Sequence, residues 1–254
     1  MKKLFLISIA VTGIAVPAAA GAATFSGVVV AKQAGRHALI VASKSGLVRT
    51  VHTHRLATRI GARVAVTAHH LADGTFSATR VSVWGLARKA RIRGVVVRSS
   101  RGSFLLSAGH SMLAIRTRRL FSLNDTGSNP QPGSVVDVTV ETNGDQLDEQ
   151  DVRELGDAQQ LELQGTVGSI TQPTATTAGE VVLQVGTSTI HIVVPAGTTL
   201  PNTLQVGDSV QLKVALSGAT FTLLNSQDES DDQGEDVGGD GGDGSGDGGG
   251  GGND

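Results

Sequence analysis

The chain has no cysteine and no tyrosine, and only one tryptophan in its 254 residues. Without cysteine there are no disulfides, no thiolate metal sites and no thiol nucleophile, so any fold must be held by burial alone. Aromatic residues make up 3% of the chain, too few for the stacked side chains on which single-strand binders and sugar-binding platforms lay their ligands. No segment keeps a helical period, which argues for strands throughout. Acid is nearly absent from one half. From Thr24 to Leu120 there are seventeen Lys/Arg and one acid, Asp73, a net +16. From Phe121 onward two basic residues, Arg153 and Lys213, face 22 acids, a net −20. The overall charge of −2 therefore hides a dipolar molecule that attracts polyanions at one end and basic partners at the other.

The ends differ from the middle. Lys2 and Lys3, the apolar run Leu4–Val16, and the small residues around Pro17 read as a secretory signal over residues 1–23. This predicts an exported protein of the periplasm, cell surface or extracellular space. An uncleaved anchor is the alternative, but Gly13, Pro17 and Gly21 weaken the 20-residue span Leu4–Ala23. Residues 226–254 hold 12 Gly, 10 Asp/Glu and one aliphatic residue, Val237. That composition predicts a disordered acidic tail, which would compete for the basic end as a tethered polyanion. Carboxylates recur there at Asp236, Asp240, Asp243 and Asp247, but neither the calcium-loop pattern nor an apolar-spaced repeat accompanies them.

Between the ends lies a repeat. Phe25-Ser26-Gly27-Val28-Val29, Ile92-Arg93-Gly94-Val95-Val96 and Leu163-Gln164-Gly165-Thr166-Val167 align. Further on, Gly61-Ala62-Arg63-Val64, Gly133-Ser134-Val135-Val136 and Gly207-Asp208-Ser209-Val210 align in the same order, all fitting G-x-x-V-x-[VL]. The second motif alternates apolar residues with period two, as at Val136, Val138 and Val140, which marks a half-buried strand. The first is a valine run opened by glycine, suited to a bulged strand that bends around a barrel. Two further runs, Ala38–Ala42 and Leu47–Thr53, a hairpin at Ala72-Asp73-Gly74, and a last strand near Phe76–Trp84 complete one unit. Five short strands per unit predict an all-β chain of three tandem five-stranded OB-like barrels: a first at 24–90, a second at 91–162 and a third at 163–225.

The opening x-G-x-V strand, the later V-G-D-x-V strand start and the closing strand resemble exported bacterial repeat domains known as domain of unknown function 5666. Val206-Gly207-Asp208-Ser209-Val210 fits best, and the first two copies lack the Asp. The resemblance implies a small barrel and an exported setting. It implies no chemistry, because that family has none assigned.

Tests for chemistry narrow the field. His52-Thr53-His54 in a strand would put two imidazoles on one side, and His69-His70 follows, so a metal site through His52 and His54, or through the acidic tail, is one alternative. Arg49, Arg55, Arg59 and Arg63 crowd these histidines and repel a divalent cation. Gly109-His110-Ser111 is not a nucleophile elbow, and no phosphate loop occurs. These absences predict a non-enzymatic protein without cofactor. The best candidates are the basic residues Arg88, Lys89, Arg91, Arg93, Arg98, Arg101, Arg116, Arg118 and Arg119, whose guanidinium forks suit phosphate, sulfate or carboxylate. The sequence thus predicts a binding or surface-scaffold protein that contacts an anionic envelope polymer, acidic lipid headgroups or nucleic acid by charge. A second alternative is a purely structural protein that self-associates through its opposite charges.

Overall fold

The structure, a computed structural model, describes residues 22–54, 57–117, 130–201 and 203–224. Most of the expected leader and the whole expected acidic tail, 226–254, lie outside these residues. So do Arg55, Arg118 and Arg119.

Among the described residues, every regular element apart from one 3₁₀ turn at Ala34–Arg36 is a strand. The first barrel comprises β1 (Ala23–Gln33), β2 (Ala38–Ala42), β3 (Val48–His52), β4 (Ala62–His70) and β5 (Phe76–Leu86). The second comprises β6 (Lys89–Ser100), β7 (Ser103–Ala108), β8 (Ser111–Arg116), β9 (Ser134–Asn143) and β10 (Gln146–Asp157). The third comprises β11 (Gln160–Thr171), β12 (Gly179–Val185), β13 (Ser188–Val194), β14 (Ser209–Ser217) and β15 (Thr220–Leu223). Each closes in the order first-second-third-fifth-fourth, with the third and fifth strands parallel and all other pairs antiparallel. That is the OB arrangement expected from the repeat. The acidic run Leu147–Leu155 lies within strand β10, which pairs along its length with β9 and completes the barrel of the second copy.

The two repeated motifs hold each other. In each barrel the first strand bulges just after its valine run, at Val30, Val97 and Gly168. At each bulge the motif-two glycine donates its N–H to the carbonyl of the preceding residue. Gly61 bonds Val29 at 2.7 Å, Gly133 bonds Val96 at 2.7 Å, and Gly207 bonds Val167 at 2.8 Å. These three glycines have φ of +83°, +95° and +95°, a conformation open to glycine at no steric cost. The motif-one glycine answers a different need. A Cβ at Gly27, Gly94 or Gly165 would stand 2.4, 2.3 or 2.9 Å from a carbonyl oxygen of the neighbouring strand.

Inward residues fill each barrel. Val29, Leu39, Val41, Val51, Val64 and Val66 form the first core. Outward residues of one barrel join the next. Val30, Ile40, Ala42 and Val48 leave the first barrel to pack with the second core, and Val97 and Leu105 leave the second to pack with the third. By the repeat, Val30 and Ile40 correspond to Val97 and Leu105, so one docking rule is used twice. At the corresponding places the third barrel carries Gly168 and Val182, and beside Val182 lie Gln184 and His191. Among the described residues this face is left uncovered, and it mixes Gln184 and His191 with Val182 and Val193.

Candidate anion-binding seam

OB barrels commonly bind polymers on the face of the second and third strands. Here that face is occupied in the first barrel, where Ile40, Ala42 and Val48 are buried against the second. It is occupied again in the second barrel, where Leu105 and Met112 pack on the third. On the third barrel the face offers Val182, His191 and Val193, with Glu180 accepting from His191 Nδ1 at 2.8 Å. It carries neither arginine nor lysine, so it is a poor match for a polyanion.

Positive charge instead converges at the seam between the first two barrels. A cavity of about 510 Å³ opens there. Its floor is apolar, from Gly27, Val28, Ala42 and Ala90, and hydroxyls of Ser26, Ser43 and Thr139 line it. Lys44, Arg63, Lys89 and Arg91 bring four cationic side chains, and no carboxylate lines the space. Lys44 comes from the β2–β3 turn, Arg63 from the start of β4, and Lys89 and Arg91 from the start of β6, so neither barrel alone makes the site. Trp84, on β5, forms part of the rim and is 61% exposed. The Arg63 guanidinium lies 5.3 Å from its ring centroid, a cation–π contact that presents charge and aromatic surface together.

Arg91 is anchored. Its Nε donates to Asp137 Oδ1 at 2.6 Å and its Nη2 to Oδ2 at 2.5 Å, while Arg93 reaches the same Oδ2 at 3.4 Å. Asp137 is buried, at 5% exposure. The Arg91 hydrogen bonds hold its carboxyl below the ordinary carboxylate range, against the opposing effect of burial. The carboxylate thus contributes stability above its unfolded pKa of about 3.9 that is lost as pH falls through its lower folded value. Asp137→Asn is expected to lower the thermal midpoint at pH 6. The gap to wild type should narrow on acidification below the carboxylate range, which a melting series down to pH 3 would test.

The other basic residues predicted from sequence are dispersed. Arg88 lies beside a separate hollow with Arg59 and Asp145. Arg98 donates to the Thr189 carbonyl of the third barrel at 3.1 Å, a structural tie. Arg101 is exposed on the β6–β7 turn, and Arg116 donates to the Gln146 side chain. Sequence reasoning selected Lys89 and Arg91 but missed Lys44, Arg63 and Trp84. The signal available for Trp84 was its repeat partner, Leu155, in a strand end that is otherwise acidic.

The histidines do not assemble. Strand β3 ends at His52, so His54 falls beyond it and the shared strand face expected for the pair is not formed. His52 Nδ1 lies 3.3 Å from the Arg36 carbonyl, and His70 stands edge-on to Phe76. Among the described residues no three metal-type ligands come together. Asp73 is engaged in its own turn, accepting from the Thr75 hydroxyl at 2.6 Å and the Thr75 N–H at 3.0 Å. These bonds hold its carboxyl low.

No family model matches the chain, and no curated protein matches it. Among solved structures, the Drosophila Unr CSD456 is similar at 14% identity and a TM-score of 0.21, over 76% of this chain and 90% of that one. A multidomain protein with nucleic acid binding domains from Streptococcus pneumoniae TIGR4 is similar at 12% identity and a TM-score of 0.21, over 79% and 72%. The barrel assignment stands on this chain's own strand order and closure.

Proposed function

We propose that this protein is an exported, non-enzymatic binding module that engages anionic material, a polymer or a headgroup surface, at the seam between its first two barrels. The observation that carries the reading is the seam itself: Lys44, Arg63 and Lys89, with Arg91 anchored to Asp137 beside them, and an exposed indole around one cavity with no carboxylate in its lining. Such a site attracts phosphate, sulfate or carboxylate groups without reading a sequence, and its affinity falls steeply with salt. Export is supported by the amino-terminal pattern of charge, apolar run and small residues.

The test is binding of the full chain to duplex DNA and to a sulfated polysaccharide across a salt series. Replacing Lys44, Arg63 and Lys89 together by Gln is expected to weaken binding at least tenfold at low salt. It should also reduce the slope of log K against log salt by roughly 2 to 3. Replacing three exposed cations outside the seam, Lys32, Arg80 and Arg101, together by Gln should cost far less. Equal losses from the two variants would show that binding follows net charge and would refute a seam site.

A further inference from the structure

Beside the cationic seam the first barrel ends in Val83-Trp84-Gly85-Leu86, and three of these side chains are exposed: Val83 by 56%, Trp84 by 61% and Leu86 by 53%. Neighbouring hollows around them share lining residues. Leu86 lines the two that flank Arg59, and Ala87 lines both the second of these and the seam. A contact made only with phosphate or sulfate groups leaves this apolar surface unexplained.

The fold does not require it either. The second barrel repeats the same strand end with the same irregularity. In β5 the register passes from Val83 to Gly85 with Trp84 bulged, and in β10 it passes from Glu154 to Gly156 with Leu155 bulged. Where the first barrel has Val83 and Leu86, the second has Glu154 and Asp157. The backbone accepts carboxylates at both places, so closing the barrel does not require the apolar pair.

An indole, an aliphatic pair and neighbouring Arg and Lys heads form the combination that settles at a lipid interface. The apolar groups enter the acyl boundary, the indole sits at headgroup level, and the cations meet anionic headgroups. We infer that the anionic surface engaged by the seam is a lipid bilayer rich in acidic headgroups, into which Val83, Trp84 and Leu86 insert. This inference rests on the proposed anion-binding seam and names its partner.

Trp84 is the chain's one tryptophan, so its fluorescence reports this site alone. The full chain would be titrated with phosphatidylcholine vesicles, with and without about a third phosphatidylglycerol. Binding is expected to tighten at least tenfold with the acidic lipid, with a blue shift of the indole emission and quenching by brominated acyl chains. The double variant V83E/L86D, which installs the second barrel's residues and keeps every seam cation, should lose about tenfold in vesicle affinity and most of the blue shift. It should still bind the sulfated polysaccharide. Vesicle binding without a blue shift, or equal vesicle binding by the double variant, would overturn the inference. So would emission from the free protein that is already shielded from acrylamide. Polysaccharide binding without vesicle binding would sink the lipid partner and leave the seam standing, whereas failure to bind either would remove both.

Discussion

Gly94→Ala is expected to abolish the stable fold of the second barrel. The added Cβ would stand 2.3 Å from the Ser107 carbonyl oxygen and 2.9 Å from Leu106 Cγ. The oxygen belongs to β7, where Ser107 is paired with Val95 of β6 on one side and Met112 of β8 on the other, and Leu106 is fully buried. Neither can withdraw without breaking the ladder or opening the core. Overpacking of a well-filled interior ordinarily costs about 1–3 kcal/mol, and a backbone clash this close belongs above that range. The repeat supplies its own control. Gly27→Ala meets the Ala42 oxygen at 2.4 Å and should be nearly as damaging. Gly165→Ala meets the Gln184 oxygen at 2.9 Å, on the exposed flank of the third barrel, and should cost about 1 kcal/mol. Thermal and urea melts of the three variants should rank Gly94 and Gly27 together, well below Gly165. Equal effects would show that the motif glycine is selected for flexibility and not for close strand approach.

The second large effect is expected at Gly109→Ala, and it should fall on the joint between barrels. The β7–β8 turn carries two consecutive left-handed residues, Gly109 at φ +53° and His110 at φ +61°, as the tight hairpin with a primed turn requires. A Cβ on Gly109 would lie 2.0 Å from the Val48 carbonyl oxygen in the first barrel. The same turn is where three barrels meet. Thr50 Oγ1 donates to the Gly109 carbonyl at 2.9 Å, and shares a buried hydrogen bond of 2.7 Å with Ser111. On the other side His110 Nδ1 pairs with Glu162 of the third barrel at 2.6 Å, and Gln211 Nε2 lies 2.8 Å from both. Displacing the turn should therefore uncouple the barrels before it unfolds any one of them. Hydrogen exchange should show lost protection at Thr50, Ser111 and the start of β11, with the three cores still protected. A single cooperative loss of all protection would argue that the barrels have no separate stability.

Much of the architecture was readable because repetition is a strong signal. Two glycine motifs in fixed order, three times over, marked out the units. Period-two apolar alternation at residues such as Val136, Val138 and Val140 identified strands whose inward sides now form the cores. The hairpin at Ala72-Asp73-Gly74 and the final strands followed from ordinary turn chemistry. The reason for the first glycine was less visible. The sequence suggested a bend, but the bulge falls three residues later and the glycine itself yields space to a crossing carbonyl. That is a contact between strands, and local sequence does not contain it.

The candidate site divides the same way. Composition and repetition set the chemistry at hand: a basic front half with one acid, few aromatics, no cysteine, and three barrels built from one pattern. Those follow from composition and periodicity, which are local or additive properties of the chain. Which charges stand together depends on how the barrels pack. Arg91 and Arg93 were spent on buried Asp137, Arg98 was tied to the third barrel, and Lys44, Arg63 and Lys89 were gathered from three separate segments around Trp84. The physical reason is the docking of Val30, Ile40, Ala42 and Val48 onto the second barrel. That packing covers the face on which an OB barrel usually binds and creates, at its edge, the seam where the cations converge.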